Sequence, residues 1–129
     1  MTDRSEIRRA LRDLYAARVG GDLDRLCRAF AEEATFRIAG IGRHGSPIAL
    51  TARGIHDIRQ WLSLLIKTFS VNDHVILSMI IENDQASVHW QAKIYSRVTG
   101  LTVPTEVVDL VEMHDGRVVS YAEFLAPAR

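Results

Sequence analysis

Between Arg4 and Val19 the apolar positions Ile7, Ala10, Leu11, Leu14 and Ala17 recur at intervals of three and four with arginines between them, the period of a helix with one dry face. Gly20-Gly21 ends that helix, and Asp22 is placed to cap a second one, in which Leu23, Leu26, Cys27 and Phe30 share a side. The run Thr35 to Ala39 reads as a short strand, followed by a Gly-rich loop from Gly40 to Gly54. A third amphipathic helix is expected from Ile55 to Phe69, with Ile58, Trp61, Leu62, Leu65 and Phe69 as its stripe. After it the period changes to two. Segments at Asp73 to Ile81, Ala86 to Val98, Thr102 to His114 and Arg117 to Leu125 are rich in β-branched and aromatic residues, and the short turns Asn83-Asp84, Thr99-Gly100 and Asp115-Gly116 make them an antiparallel meander. Helices gathered on one face of such a sheet give an α+β domain, with the sheet curling around them and leaving a pocket on its concave side.

The chain of 129 residues suits one domain, 1–129, with no linker or repeat. Its 47% apolar and 25% charged residues are those of an ordinary globular protein. Sixteen basic and 16 acidic side chains cancel, so neither nucleic acid nor a membrane surface is an expected partner. The charged opening, with Asp3, Arg4, Glu6, Arg8 and Arg9, does not resemble a signal peptide, and a cytoplasmic location is expected. Cys27 is the sole cysteine, which excludes an internal disulfide and a thiolate zinc cage. The five histidines show no closely spaced pair, so no metal site is expected, and most of them are expected at the surface. Gly40-Ile41-Gly42-Arg43-His44-Gly45 matches the dinucleotide fingerprint in letters, but Ser46-Pro47 follows where a helix would have to open.

Gly21-Asp22-Leu23-Asp24 and Ala29-Phe30-Ala31-Glu32-Glu33-Ala34-Thr35-Phe36 resemble the opening of ketosteroid isomerase-related and SnoaL-like polyketide cyclase proteins of the nuclear transport factor 2-like superfamily. Val107 to Glu112, Asp115 to Val119 and Tyr121 resemble the closing hairpin of the same group. The resemblance implies a cone-shaped, cystatin-like roll with helices in the concave face of a strongly curved sheet. It says little about chemistry, because one architecture hosts many activities. It aligns Asp109 with the buried carboxylic acid that helps bind the substrate oxyanion in the isomerases. It aligns the isomerases' general base with Ile38 and their oxyanion tyrosine with Leu14, beside Tyr15, so ordinary steroid isomerisation is disfavoured.

Alternation puts Val107, Val111 and Met113 on the face of Asp109, an apolar setting that raises a carboxyl's pKa and lets it serve as an acid. The plain alternative is a buried Asp satisfied by a backbone or tyrosine partner. Tyr121, Glu123 and Leu125 alternate with Ala122 and Phe124, and if the first set faces inward Glu123 joins Asp109 as a coupled pair; otherwise it lies on a solvated rim. Trp90, Ile94 and Val107 are candidate pocket walls, with Tyr15, Ile38, Trp61 and Tyr121 contributing, and His44 on a covering loop at the mouth. The expected ligand is a small apolar molecule, carbonyl-containing or polycyclic, processed by isomerase- or cyclase-type acid-base chemistry at Asp109 with no cofactor. A non-catalytic binding domain of the same fold is the alternative. A third option is water activation by two carboxylates and an arginine, for which Arg37 is the candidate. The opposite sheet face, with His89, Gln91, Tyr95, Val108, Leu110 and Phe124, has no helix to cover it and is expected to form a homodimer.

Overall fold

The computed structural model describes residues 3–42 and 44–128. Helix α1 (Arg4–Gly20) buries Ile7, Leu11, Leu14, Tyr15 and Ala17. Gly21, at φ 69°, ends it: its N–H reaches the Arg18 carbonyl at 3.2 Å, and the Asp22 N–H reaches that of Ala17 at 2.9 Å. The Asp22 side chain then caps α2 (Leu23–Arg28) by accepting from the Arg25 N–H at 3.2 Å. Strands β1 (Phe30–Ile41) and β2 (Pro47–Arg53) precede α3 (Ile55–Thr68), and β3 (Phe69–Glu82), β4 (Gln85–Ser96), β5 (Thr102–His114) and β6 (Arg117–Pro127) follow it.

These strands form one curved, unclosed sheet in the order β2-β1-β6-β5-β4-β3. All neighbours are antiparallel except β1 and β6. The three helices fill the concave side, as expected for an α+β roll. Ile7 and Leu11 of α1 and Ile58 of α3 are fully buried in a core shared with Val88 and Val118. Truncating one of them, such as Leu11→Ala, removes about 2–5 kcal/mol of stability. Among the described residues no helix is long and apolar enough to cross a membrane.

Half of the segment expected as loop is strand. From Pro47 to Arg53 the chain pairs with β1, and between the two strands the Gly42 N–H bonds to the Ser46 carbonyl at 2.7 Å. The glycine and proline that suggest a loop have other reasons here. Pro47 opens an edge strand, where a missing N–H costs no ladder bond. Gly40 lies flush against β6, and a Cβ on it would stand 2.3 Å from the Leu125 carbonyl oxygen. Since β2 follows Gly40 to Gly45, those glycines open no helix. Strand β3 also starts four residues earlier than expected, at Phe69, and is interrupted by a bulge: Asp73 takes φ 53° and the register to β4 shifts between Asn72 and Val75.

Candidate active site

Asp109 of β5 pairs with Glu123 of β6 on one side and with Val88 of β4 on the other, on the concave face. Its side chain is 0% exposed. One carboxyl oxygen, Oδ2, accepts from the Tyr15 hydroxyl at 2.5 Å, the Tyr121 hydroxyl at 2.5 Å and the Trp90 indole N–H at 2.7 Å. The other, Oδ1, is buried without a hydrogen-bond partner among the described residues. Glu123, 1% exposed, is gripped by Arg18 from the last turn of α1 through two N–H groups, with Nη2 3.0 Å from Oε2 and Nη1 bonded to Oε1. The Arg18 guanidinium carbon also lies 5.3 Å from the Trp90 ring centroid.

The two carboxyls share a site but not a fate. Burial, then the negative charge of Glu123, pushes the Asp109 pKa well above 3.8, against the pull of Arg18 and the two tyrosine hydroxyls. Burial also acts to raise Glu123, but the charge and hydrogen bonds of Arg18 outweigh it and hold Glu123 below its ordinary value. Between those two displaced pKa values the pair carries one proton, on Asp109, and one charge, on Glu123. Burial and the Asp109 carboxyl raise Tyr15 and Tyr121 far above ordinary phenols, so both stay as donors. In that window the site holds one cation, Arg18, and one anion, Glu123.

A cavity of about 770 Å³ opens beside this cluster. Arg18 and Glu123 supply its inner charged wall, and Ile38, Trp90, Ile94 and Val107 its apolar wall, with Arg97 on the outer part and His44 at the exposed rim. Asp109, Tyr15 and Tyr121 do not line it; they stand behind Trp90 and Glu123. Trp61 does not line it either. Leu62, Leu65 and Ile66 take that role, while Trp61 packs half-buried against the core.

Three further expectations change. The hydroxyl that meets Asp109 comes from Tyr15, while Leu14 packs in the core. The arginine at the carboxylates is Arg18; Arg37 is exposed and lies 5.1 Å from the ring centroid of Phe124, on the convex side. The histidine at the cluster is His74, turned inward by the bulge, with its ring 4.8 Å from Trp90 and 5.3 Å from Tyr15 by centroids. Its Nε2 is shielded and has no hydrogen-bond partner among the described residues, and burial, then the Arg18 charge, lowers its pKa, so it stays neutral. The sequence does hold a signal for Arg18, since Ile7, Leu11, Leu14 and Arg18 continue one helical stripe at steps of four, three and four. It holds none for His74, because a bulge reverses the alternation that would place it.

Among the described residues no three His, Cys, Asp or Glu side chains are grouped to hold a metal. Comparison with solved structures returns the same architecture at low identity. A candidate isomerase from Bacillus subtilis is 19% identical and superposes with a TM-score of 0.81 over 98% of this chain and 91% of that one. A Catenulispora acidiphila protein with a ketosteroid isomerase-like fold, in complex with trimethylamine, is 15% identical, with a TM-score of 0.72 over 88% and 82%. An epoxide hydrolase of the LEH-like kind from Mycobacterium tuberculosis is 16% identical, with a TM-score of 0.72 over 95% and 84%. No curated protein matches the chain. With the nuclear transport factor 2-like fold shared by these structures, and with the SnoaL-like domain model matching residues 11–121, the chain belongs to the SnoaL-like domain family.

Proposed function

We propose that the chain binds a small apolar molecule bearing a carbonyl oxygen and moves a proton on it, as an isomerase or cyclase of the acid-base type does. The observation that carries this reading is a buried Arg18–Glu123 ion pair on the wall of a largely apolar cavity, with a second carboxyl of raised pKa directly behind it. Such a pair is a poor way to stabilise a fold, since apolar residues of the same volume do as well or better. In the reading, Glu123 takes a proton from the carbon next to the carbonyl, and Arg18 turns an N–H toward the enolate oxygen as charge develops there. As Arg18 shifts its attention, Glu123 loses its counter-charge and becomes the stronger base. In an unsaturated ketone the proton then returns from Glu123 to the far carbon of the conjugated dienolate; in a diketone the enolate carbon adds to the second carbonyl, and the alkoxide so formed takes the proton from Glu123. Asp109, held by Tyr15, Tyr121 and Trp90, keeps a neutral acid at the back of Glu123 and fixes its position across the strand pair.

Water activation by an arginine set between two carboxylates finds less support, because both Arg18 bonds go to Glu123. The non-catalytic alternative draws on the complete burial of Asp109. Exchange of ketone α-hydrogens in deuterated buffer, followed by NMR over a panel of apolar ketones, separates the two. Turnover requires exchange above buffer that disappears in Glu123→Gln while the ketone still binds; binding without exchange in the unaltered chain leaves the non-catalytic reading. Two copies pair through the convex face in this proposal, supported by the exposed Leu110 and Tyr95 there, beside the His89–Glu106 contact.

A further inference from the structure

We propose that the ligand of this cavity is an elongated, uncharged amphiphile about 20 Å long that enters head first, with a neutral oxygen group at Arg18 and Glu123 and an apolar tail running out to the mouth. The inference rests on the reading above for the location of the reacting end and adds the shape and charge of what fits there.

The length comes from the strands. Trp90, beside the ion pair, and Ser96, at the mouth, are six residues apart on β4, and Val107 and Leu101 are six apart on β5 and the turn before it; all four line the cavity. At about 3.3 Å per residue each path is roughly 20 Å. Along it the cavity is walled by Ile94 and Val103 from the sheet and by Leu62, Leu65 and Ile66 from α3. Thr105 has no donor left for a ligand oxygen, since its hydroxyl donates to the Val103 carbonyl at 2.9 Å. A compact ring system would satisfy the inner part of this channel and leave the outer part wet.

The mouth carries large apolar side chains as well, beside the polar Ser70, Ser96, Arg97 and Thr99. Val19, Ile41, Ile48, Phe69, Val98 and Leu101 all line the cavity and all are exposed, six of the twelve large apolar side chains exposed among the described residues. They arrive from four separate places: the end of α1, the β1–β2 hairpin, the α3–β3 junction and the β4–β5 turn. Exposed apolar side chains scattered singly need no explanation, but half of them converging on one opening do. A tail that reaches the opening covers them.

The charge of the head follows from the floor. Arg18 already has its counter-ion, so a carboxylate head would bring a second anion against Glu123, and an ammonium head would face Arg18. A ketone, ester or alcohol oxygen can accept from Arg18 without adding charge.

The test uses the full chain carrying Trp61→Phe, so that tryptophan fluorescence reports from Trp90 at the floor. It is titrated with straight-chain 2-alkanones and with the matching fatty acids, from about six to about sixteen carbons. Each added methylene is expected to tighten alkanone binding about fourfold, and the increments are expected to continue into the longest members. The fatty acid of each length is expected to bind at least about tenfold more weakly at pH 8. A Val98→Ser/Leu101→Ser variant, altered only at exposed positions, is expected to lose the increments of the longest tails. The inference is overturned by a plateau at the short alkanones, by fatty acids that bind as well as ketones, or by a compact polycyclic ketone that outbinds every alkanone. Alkanones that bind as described without α-hydrogen exchange uphold this inference and defeat the acid-base reading; no binding by any ketone defeats both.

Discussion

Arg18 and Glu123 lie 105 residues apart in sequence and form two parallel N–H to oxygen bonds that tie the end of α1 to the last strand. Both are largely buried, with side-chain exposures of 19% and 1%, so their charges have little water to fall back on. Removing one partner is therefore far worse than removing both. Arg18→Ala is expected to cost about 3–5 kcal/mol by stranding the Glu123 charge, whereas Arg18→Met with Glu123→Leu is expected to come within about 1 kcal/mol of the unaltered chain or exceed it. Urea denaturation of the two variants checks this. Equal losses in both would show that the pair stabilises the fold on its own account.

Asp109 predicts a pH dependence of the opposite sign to that of an ordinary paired carboxylate. Its pKa is raised in the folded chain, so above its unfolded value of about 3.8 the unfolded chain releases a proton that the folded chain keeps. Stability from this group is thus fully present below that value and falls as pH rises toward the folded pKa. Asp109→Asn mimics the neutral acid and has no such slope. The stability of the unaltered chain relative to Asp109→Asn is expected to decline steadily from pH 4 upward, read from urea midpoints. Asp109→Ala, in contrast, leaves two hydroxyls and an indole N–H without their shared acceptor and is expected to cost about 1–3 kcal/mol for each donor that finds no other partner.

The proposed pairing of two copies through the convex face makes Leu110, 49% exposed at its middle, a sensitive position. Leu110→Glu is expected to shift sedimentation from dimer to monomer while leaving the circular dichroism of the fold unchanged. A chain that sediments as a monomer before the change would remove the proposal.

Much of this architecture is legible in the sequence because period and turn chemistry agree: the stripe Ile7, Leu11, Leu14 can only be a helix, and Asp115-Gly116, at φ 51° and 79°, forms the tight hairpin its letters suggest. Strand β2 was hidden because Gly40 and Pro47 read as breakers, when one permits a close approach to Leu125 and the other begins an edge. At the site, alternation alone puts Asp109 and Glu123 on one face. It cannot show that a neighbouring wall, Trp90, stands between Asp109 and the cavity, nor that α1 delivers Arg18 to Glu123, since both depend on how far the helix sinks into the sheet. His74 lies beyond any periodic reading because the irregularity at Asp73 is what turns it inward.

The division of one proton and one charge between Asp109 and Glu123 underlies every step proposed here, and a carboxyl-carbon NMR titration of the chain labelled at its Asp and Glu side chains reads it directly, with Asp109→Asn and Glu123→Gln to assign the signals. The account predicts an Asp109 signal that titrates well above 3.8 and a Glu123 signal that titrates below 4.5. An Asp109 signal that titrates near 3.8, like a solvated carboxylate, would contradict it.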